Sequence, residues 1–366
     1  GQYYLQYACT GTEYNVYGDG VYISEEPLGP FVPAKNNPYS YNPGGFCPGA
    51  GHGSTVADFS GNYWHTATMR ISVNHAMERR VGLWRAGFDE DGELFCNQRY
   101  GDWPVKVEQR KADPWADPEW MLLSYNKKVS VSSGEASARN AVDENIQTWW
   151  RAESNHEGEW ICLDLGNAAQ VNAIQVNFAD EPGSFTLPEG KVAIENGQSP
   201  NRYIEETIYQ TQWLLEGSLD GQGWFIIEDK RNVDTDFSHD LVVREEGFPV
   251  RHIRLTVYKV PYNCKPCISG LRVFGHMEKP APKPANAVCA KRINGTDMTV
   301  TWKGDAEGAV VLWGHKKDKL YHSYHVHGVN TLDVGALVAD TKEYYVRVDL
   351  YNEGGITKGE IVKVTQ

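Results

Sequence analysis

The chain has 366 residues and a formal charge of −13, with 23% charged and 41% apolar side chains. That length spans two or three domains of ordinary globular chemistry. The negative balance excludes nucleic acid as a partner, because phosphates call for clustered Lys and Arg, and it disfavours an anionic membrane surface. No apolar run approaches the about 18 residues of a bilayer-spanning helix, so no membrane insertion is expected. Aromatic side chains make up 12%, with 12 Trp and 20 Tyr. Sugar-binding proteins share that richness, since flat rings stack on the C–H faces of sugars. So do the cores of β-sandwiches and propellers.

Helical periodicity is nearly absent. Short alternating runs, from "YYLQYA" and "GVYISE" through "WICLDLG" and "HIRLTVY" to "MTVTW" and "EYYVRVDLY", are separated by Gly, Pro, Asn and Asp, which predicts an all-β chain. Two seams divide it. "KADPWADPEW" (111–120) carries two Asp-Pro steps, and "MEKPAPKPAN" (277–286) reads as a stiff, extended linker. The expected pieces are 1–122, 123–277, a Pro-rich linker at 278–286, and 287–366. Cys9, Cys47, Cys96, Cys162, Cys264, Cys267 and Cys289 are too scattered for a disulfide framework. "CKPC" (264–267) reads as a loop with two thiols or one local disulfide.

In the first piece, "YYLQYACTGTEYNVYGDGVYISEEPLGPF" closes on Ser24, Pro27, Gly29, Pro30 and Phe31. "PGAGHGSTVADFSGNYWHTATM" and "ERRVGLWRAGFDEDGELF" follow it. This ordered set resembles glycoside hydrolase family 43. The resemblance implies a five-bladed β-propeller of four-stranded antiparallel blades. It also implies inverting hydrolysis by a Glu acid and an Asp base, with a second Asp orienting the acid. Counted as strands, residues 1–122 hold one blade lacking its first strand, and one whole blade. Two blades cannot close a ring and would leave a long sheet edge. The piece therefore reads as the C-terminal part of a larger enzyme whose missing N-terminal blades are its partners. By the family pattern all three acids are expected upstream of Gly1, so no catalytic residue is expected in this chain. Glu13, Asp19, Asp58 and Glu78 read as turn and surface carboxylates.

What remains is a supporting shell. The resemblance places His52 near the propeller axis, where it holds a calcium or other metal ion or its water network, or faces the sugar subsite. The glycines around it are expected to let the backbone turn tightly. Arg80, or else Arg79, matches an arginine that reaches the sugar or the acid. Strand direction puts the loops carrying Tyr14, Tyr17 and His75 on the side of His52, making them subsite walls or plain loop residues. No organic cofactor is implied.

In the middle piece, "NAVDENIQTWW", "EWICLDLG", "LEGSLDGQGW" and "ISGLRVFG" occur in order. They resemble the coagulation factor 5/8 type C (discoidin) domain, a jelly-roll β-sandwich many of whose members bind carbohydrate at loops on one end. Trp150 and Trp160 are expected in the core, and Trp149 on the opposite face as a carbohydrate contact. The family often holds calcium at an Asp-x-x-x-x-Thr loop, matched here by Asp143 and Thr148. The Glu that usually completes that site from the last strand is replaced by Gly270, which weakens it. The polar insert at 178–213 reads as a cover for a neighbour or for a binding face.

The last piece places Trp302 on an early strand and Tyr344 and Tyr345 before a late one, as in a tyrosine corner. It resembles a fibronectin type III domain, an immunoglobulin-like sandwich. His322, His325 and His327 read as a solvated strand face rather than a metal site, because no carboxylate or Cys stands in the run. The resemblances together imply an arabinofuranosidase- or xylosidase-like glycosidase acting on an arabinose-, xylose- or galactose-containing glycan, with accessory modules. The alternative is a non-catalytic carbohydrate-binding protein. Substrate class puts either one outside the cell or in the periplasm.

Overall fold

Alternating polar and apolar residues, punctuated by turn formers, give a computed structural model that is all-β; it describes residues 1–11, 16–70, 79–107, 110–179 and 208–366. Among the described residues the helical pieces are short 3-10 segments at Glu135–Val142 and Pro261–Asn263. The chain forms two units. One combines Gly1–Arg70, Arg80–Glu119 and Lys279–Gln366, and the other is built on Trp120–Glu278.

The first unit opens with two four-stranded sheets. In one, β1 (Tyr3–Cys9) pairs with β2 (Gly18–Ser24), which also pairs with β3 (Val32–Pro33) and β4 (Ser40–Tyr41). The other is a meander of β5 (Gly51–Ala57), β6 (Tyr63–Arg70), β7 (Arg79–Phe88) and β8 (Leu94–Asn97). The 58–62 turn between β5 and β6 is held by Asp58, which accepts from the backbone N–H of Ser60 and Asn62 and from Trp64 Nε1. Those bonds, led by the Trp64 contact, pull the Asp58 carboxyl down to about 2. This is the turn role read from the sequence.

The described residues of the middle unit form one eight-stranded sheet. Its path runs β11 (Trp150–Arg151), β16 (Cys267–His276), β12 (Glu159–Phe178), β15 (His239–Lys259), β13 (Gln212–Ser218) and β14 (Phe225–Asp229). β9 (Met121–Leu122) joins β16, and β10 (Lys128–Val131) joins β12. The long β12 and β15 shift register between Asp164 and Ala169 and again between Val171 and Ala173, and such bulges bend and twist a strand pair. Trp150, at 0% exposure, is core as expected, and its Nε1–H donates to the Ser133 carbonyl at 2.9 Å. Trp160 is not core. On β12 the inward positions are Ile161, Leu163 and Leu165, so Trp160 shares the half-buried outer face with Cys162 and Asp164. The Ser-x-Asp-Gly motif is a turn: the Ser218 hydroxyl accepts from the Gly221 N–H at 2.9 Å, and Asp220 accepts from Gln222 and Gly223.

The last stretch is a sandwich. A three-stranded sheet of β17 (Asn286–Arg292), β18 (Met298–Lys303) and β21 (Thr331–Val334) faces a five-stranded one. The second sheet holds β19 (Gly308–Gly314), β20 (His322–His327), β22 (Tyr345–Asn352), β23 (Gly355–Thr357) and β24 (Val362–Lys363). Trp302, Trp313, Val346 and Val348 lie in its core. The corner read at Tyr344 is present, its hydroxyl accepting the Val338 N–H at 2.8 Å.

This sandwich packs on the opening sheets through the histidine strand. His322 and His325 are buried, which corrects the solvated face expected for them. His322 Nε2 lies 2.8 Å from the Asn36 carbonyl oxygen and Nδ1 3.3 Å from that of Trp313, and its ring stacks on Trp313. Burial pushes the His322 pKa down, towards the neutral form. His325 packs against Tyr100 and Trp103 at 5.0 and 5.7 Å. Beside them Lys319, 4% exposed, lies 2.6 Å from Asp89, 2.8 Å from Asp91 and 3.0 Å from Glu93. The Pro-rich 277–286 segment is extended but docked. Its Pro280 and Pro282 carbonyls accept from Asn352 and Thr357 at 3.0 and 2.6 Å.

Burial pushes the Asp89 and Glu93 carboxyls up. The Lys319 contacts, with Tyr321 at Asp89 and His315 at Glu93, outweigh that and hold both below their ordinary 3.8 and 4.5. Replacing the ammonium leaves the half-buried Asp89 and Glu93 without their shared partner, so Lys319→Met should destabilise this unit by about 1–3 kcal/mol at neutral pH in calorimetric unfolding. Depressed carboxyls contribute stability above their unfolded values and lose it as pH falls through their folded ones. The deficit should therefore shrink once the pH drops below 4.5 and then 3.8.

Candidate functional site

Two places in the described residues are candidate sites. The first surrounds "GAGHGS". Asp19 lies on β2, 1% exposed, and its Oδ1 and Oδ2 accept the backbone N–H of His52 and Gly53, each at 2.8 Å. His65 Nε2, itself fully buried, stands 3.2 Å from Oδ2. Its Nδ1 lies 3.0 Å from the Thr55 hydroxyl, which contacts Tyr39 Oη at 2.8 Å. Asp19 is therefore an interior anchor, not the turn or surface carboxylate expected. β2 is covered on both faces from Gly18 to Val21, and two backbone N–H donors meet the cost of burying the carboxylate.

The anchor shapes the turn. His52 itself takes the left-handed conformation, φ 62°, at a bulge where β5 slips register between Gly51 and Ser54. The flanking glycines serve close approach instead of the turn. A Cβ on Gly51 would stand 2.7 Å from the Tyr17 ring, and one on Gly53 would stand 2.4 Å from His65 Nε2. Tyr17 is accordingly buried beneath Gly51, which corrects its reading as a subsite wall. The His52 side chain is exposed, and Arg79 and Arg80, half-buried at the start of β7, lie at the same end of the meander. Tyr14 and His75, with Glu13 and Glu78, lie outside the described residues. Among the described residues no group of three or more His, Cys, Asp or Glu is arranged to hold a metal.

The second place is a cleft of about 330 Å³ in the middle unit, lined by the 155–156 loop, residues 208–210, the end of β15 and the 260–266 loop. The 260–266 stretch links β15 to β16, which flank β12 on either side, and its prolines and asparagine dictate an irregular path. Tyr262 and Asn263 are both left-handed, at φ 59° and 54°. The Tyr262 ring leans on Tyr209 at 4.4 Å and 48°, forming an aromatic notch. The Asn263 carbonyl accepts from Asn155 Nδ2 at 3.0 Å, tying the two loops together. Lys259 Nζ donates to Gln210 Oε1 at 2.7 Å on the rim. His156 and Asn155 are exposed beside it.

Beneath the 154–158 loop sits Glu159, on the inward face of β12. Its carboxylate accepts from Ser154 at 2.5 Å, from Ser133 at 2.7 Å, and from Ser132. Burial pushes its pKa up, and the hydroxyls of Ser132, Ser154 and Ser133 outweigh that and hold it below the usual carboxylate range. The Ser154 hydroxyl also accepts the His156 N–H at 3.2 Å. An ionised acid thus fixes the wall that presents Asn155 and His156.

Sequence reasoning missed these wall residues. The one local signal is "PYNCKP", a Tyr-Asn pair between prolines, with Asn the residue type that tolerates left-handed backbone. Trp149 is half-buried, its carbonyl accepting from Asn140 at 3.2 Å, and it is not among the residues lining the cleft. Asp143 and Thr148 do come together, the Thr148 hydroxyl donating to Asp143 Oδ2 at 2.6 Å. Cys264 and Cys267 remain separate thiols.

Residues 140–255 match the family model described as F5/8 type C, NedA-like, galactose-binding domain, so this segment is an F5/8 type C-like domain. Among solved structures the chain is similar to a glycoside hydrolase at 18% identity and a TM-score of 0.37, covering 75% of this chain and 57% of that one. It thus spans little more than half the length of that protein. It is also similar to the family 32 carbohydrate-binding module of Clostridium perfringens NanJ in complex with galactose, at 17% identity and TM-score 0.29, covering 42% of this chain and 98% of that one. A chitosan-binding module from Paenibacillus sp. IK-5, in complex with chitotriose, gives 19%, 0.31, 42% and 99%. No curated protein sequence matches the chain.

Loss of either anchor should be measurable by thermal or urea unfolding. Asp19→Ala strands two backbone donors and should cost about 3 kcal/mol. Glu159→Ala leaves three hydroxyls without their shared acceptor and should cost about 1–3 kcal/mol in the middle unit.

Proposed function

We propose that the middle unit binds carbohydrate in the Tyr209–Tyr262 cleft, with a terminal galactose-type sugar the first ligand to test. The observation carrying this reading is the cleft itself, an aromatic notch flanked by the amide of Asn155 and the imidazole of His156, in a unit matched from residue 140 to 255 by a galactose-binding family model. Aromatic rings offer flat apolar area to a sugar's C–H face, and a few placed polar groups fix hydroxyl orientation. Titration calorimetry with galactosides should show binding that Tyr262→Ala weakens at least about tenfold, near 1.4 kcal/mol, while Trp149→Ala leaves it unchanged. Equal loss in Trp149→Ala would move the site to the 143–149 loop.

The first unit we read as part of a glycosidase of the family 43 kind, secreted or periplasmic, with His52 and Arg80 or Arg79 supporting a site whose acids come from elsewhere. The support is that its buried or clustered carboxylates already have structural work. Asp19 holds the His52 turn, Asp58 its own hairpin, Asp89 and Glu93 hold Lys319, and Asp102 accepts from the Cys47 N–H at 3.1 Å. An assay of residues 1–366 with aryl arabinofuranoside, xyloside and galactoside should therefore give no turnover. Turnover abolished by substituting any of these carboxylates would overturn that placement. Sugar binding without turnover in the complete gene product would favour a purely carbohydrate-binding protein.

A further inference from the structure

The loop that follows the 3-10 segment at Glu135–Val142 is held by a buried ion pair. Glu144 takes a left-handed backbone, φ 57°, which turns its side chain inward. There it meets Arg272 of β16, and both side chains are 1% exposed. Arg272 Nε donates to the two carboxylate oxygens at 2.9 and 3.0 Å, and Nη2 donates to Oε2 at 2.7 Å. Nη1 donates to Gln175 Oε1 at 2.7 Å. Gln175 lies directly across from Arg272 in the β12–β16 pairing, and the guanidinium stands 5.0 Å from the Phe274 ring centre. One guanidinium therefore fastens the loop to two central strands.

The donor set beside it does not suit calcium, which takes six to eight oxygens. Asp143 Oδ1 accepts the Asn145 N–H and Oδ2 accepts the Thr148 hydroxyl. Gly270 brings no side-chain oxygen. The adjacent carboxylate, Glu144, points away and is neutralised by Arg272. The guanidinium thus already pairs with the carboxylate that follows Asp143 in the chain.

We propose that Arg272 is the resident cation of this loop, and that the middle unit folds and keeps the 143–148 loop in place without calcium. Loss of one partner strands a buried charge, whereas removal of both replaces the pair by apolar contact.

Calorimetric unfolding of the full chain tests this directly. Millimolar EDTA or millimolar calcium chloride should leave the middle unit's transition where it is, and titration of calcium chloride should give no binding heat. Arg272→Gln should lower that transition by about 10 °C, and Arg272→Met combined with Glu144→Leu should recover most of the loss. An EDTA-induced fall, or calcium-binding heat removed by Asp143→Ala, would overturn the proposal, as would Arg272→Gln unfolding like the parent. The EDTA and calcium measurements use the unaltered chain, so they decide the matter even if Arg272→Gln fails to fold.

Discussion

The first unit's distant halves converge on one buried ammonium. Lys319 comes from the closing sandwich, and Asp89, Asp91 and Glu93 come from one turn of the opening meander more than two hundred residues earlier. Buried charge is tolerable only when it is paired and hydrogen-bonded. The two segments must therefore meet in one register, and the aromatic packing of Tyr100 and Trp103 on His325 follows from that register. The same rule recurs at smaller scale where Asp19 grips the His52 turn, Glu159 gathers three serines, and Glu144 meets Arg272. A chain of mostly polar turns and short strands uses each such anchor to fix an otherwise pliable loop.

The anchors also divide the labour of the two candidate sites. At His52 the anchored element is backbone: the carboxylate sets the turn, and the imidazole is left exposed. At the cleft it is a wall, where Glu159 orders the loop bearing Asn155 and His156 while Asn155 reaches across to Asn263. Ordering before a ligand arrives lowers the entropy lost on binding.

Much of the architecture was legible because its signals are local. The turn at Ser218 and Asp220, the corner at Tyr344 and the core placement of Trp150 each follow from a few neighbouring residues. What stayed hidden depends on distant partners. Period-2 alternation says that a strand has two faces but not which one is covered. Alternation alone therefore puts Trp160 on the face that Ile161 and Leu163 occupy, and puts the histidine strand in solvent although Tyr100 and Trp103 cover it. Asp19 gave no sign of burial because its donors are backbone groups, which carry no sequence signature. The cleft was missed for a related reason: Tyr209 and Tyr262 lie far apart along the chain and meet only through the fold.

The middle unit's first and last strands pair with each other, Leu122 opposite Phe274 and Met121 opposite Gly275. Its points of departure and return are therefore neighbours. Once folded, it shortens the chain path between its two ends to that of a short hairpin. Loop-closure entropy grows with the length of free chain between contacts. Prior folding of this segment removes most of that length from the search that brings Lys319 to its carboxylates. The pairing of two short strands thus lets the split domain fold around a closed insert as though it were continuous.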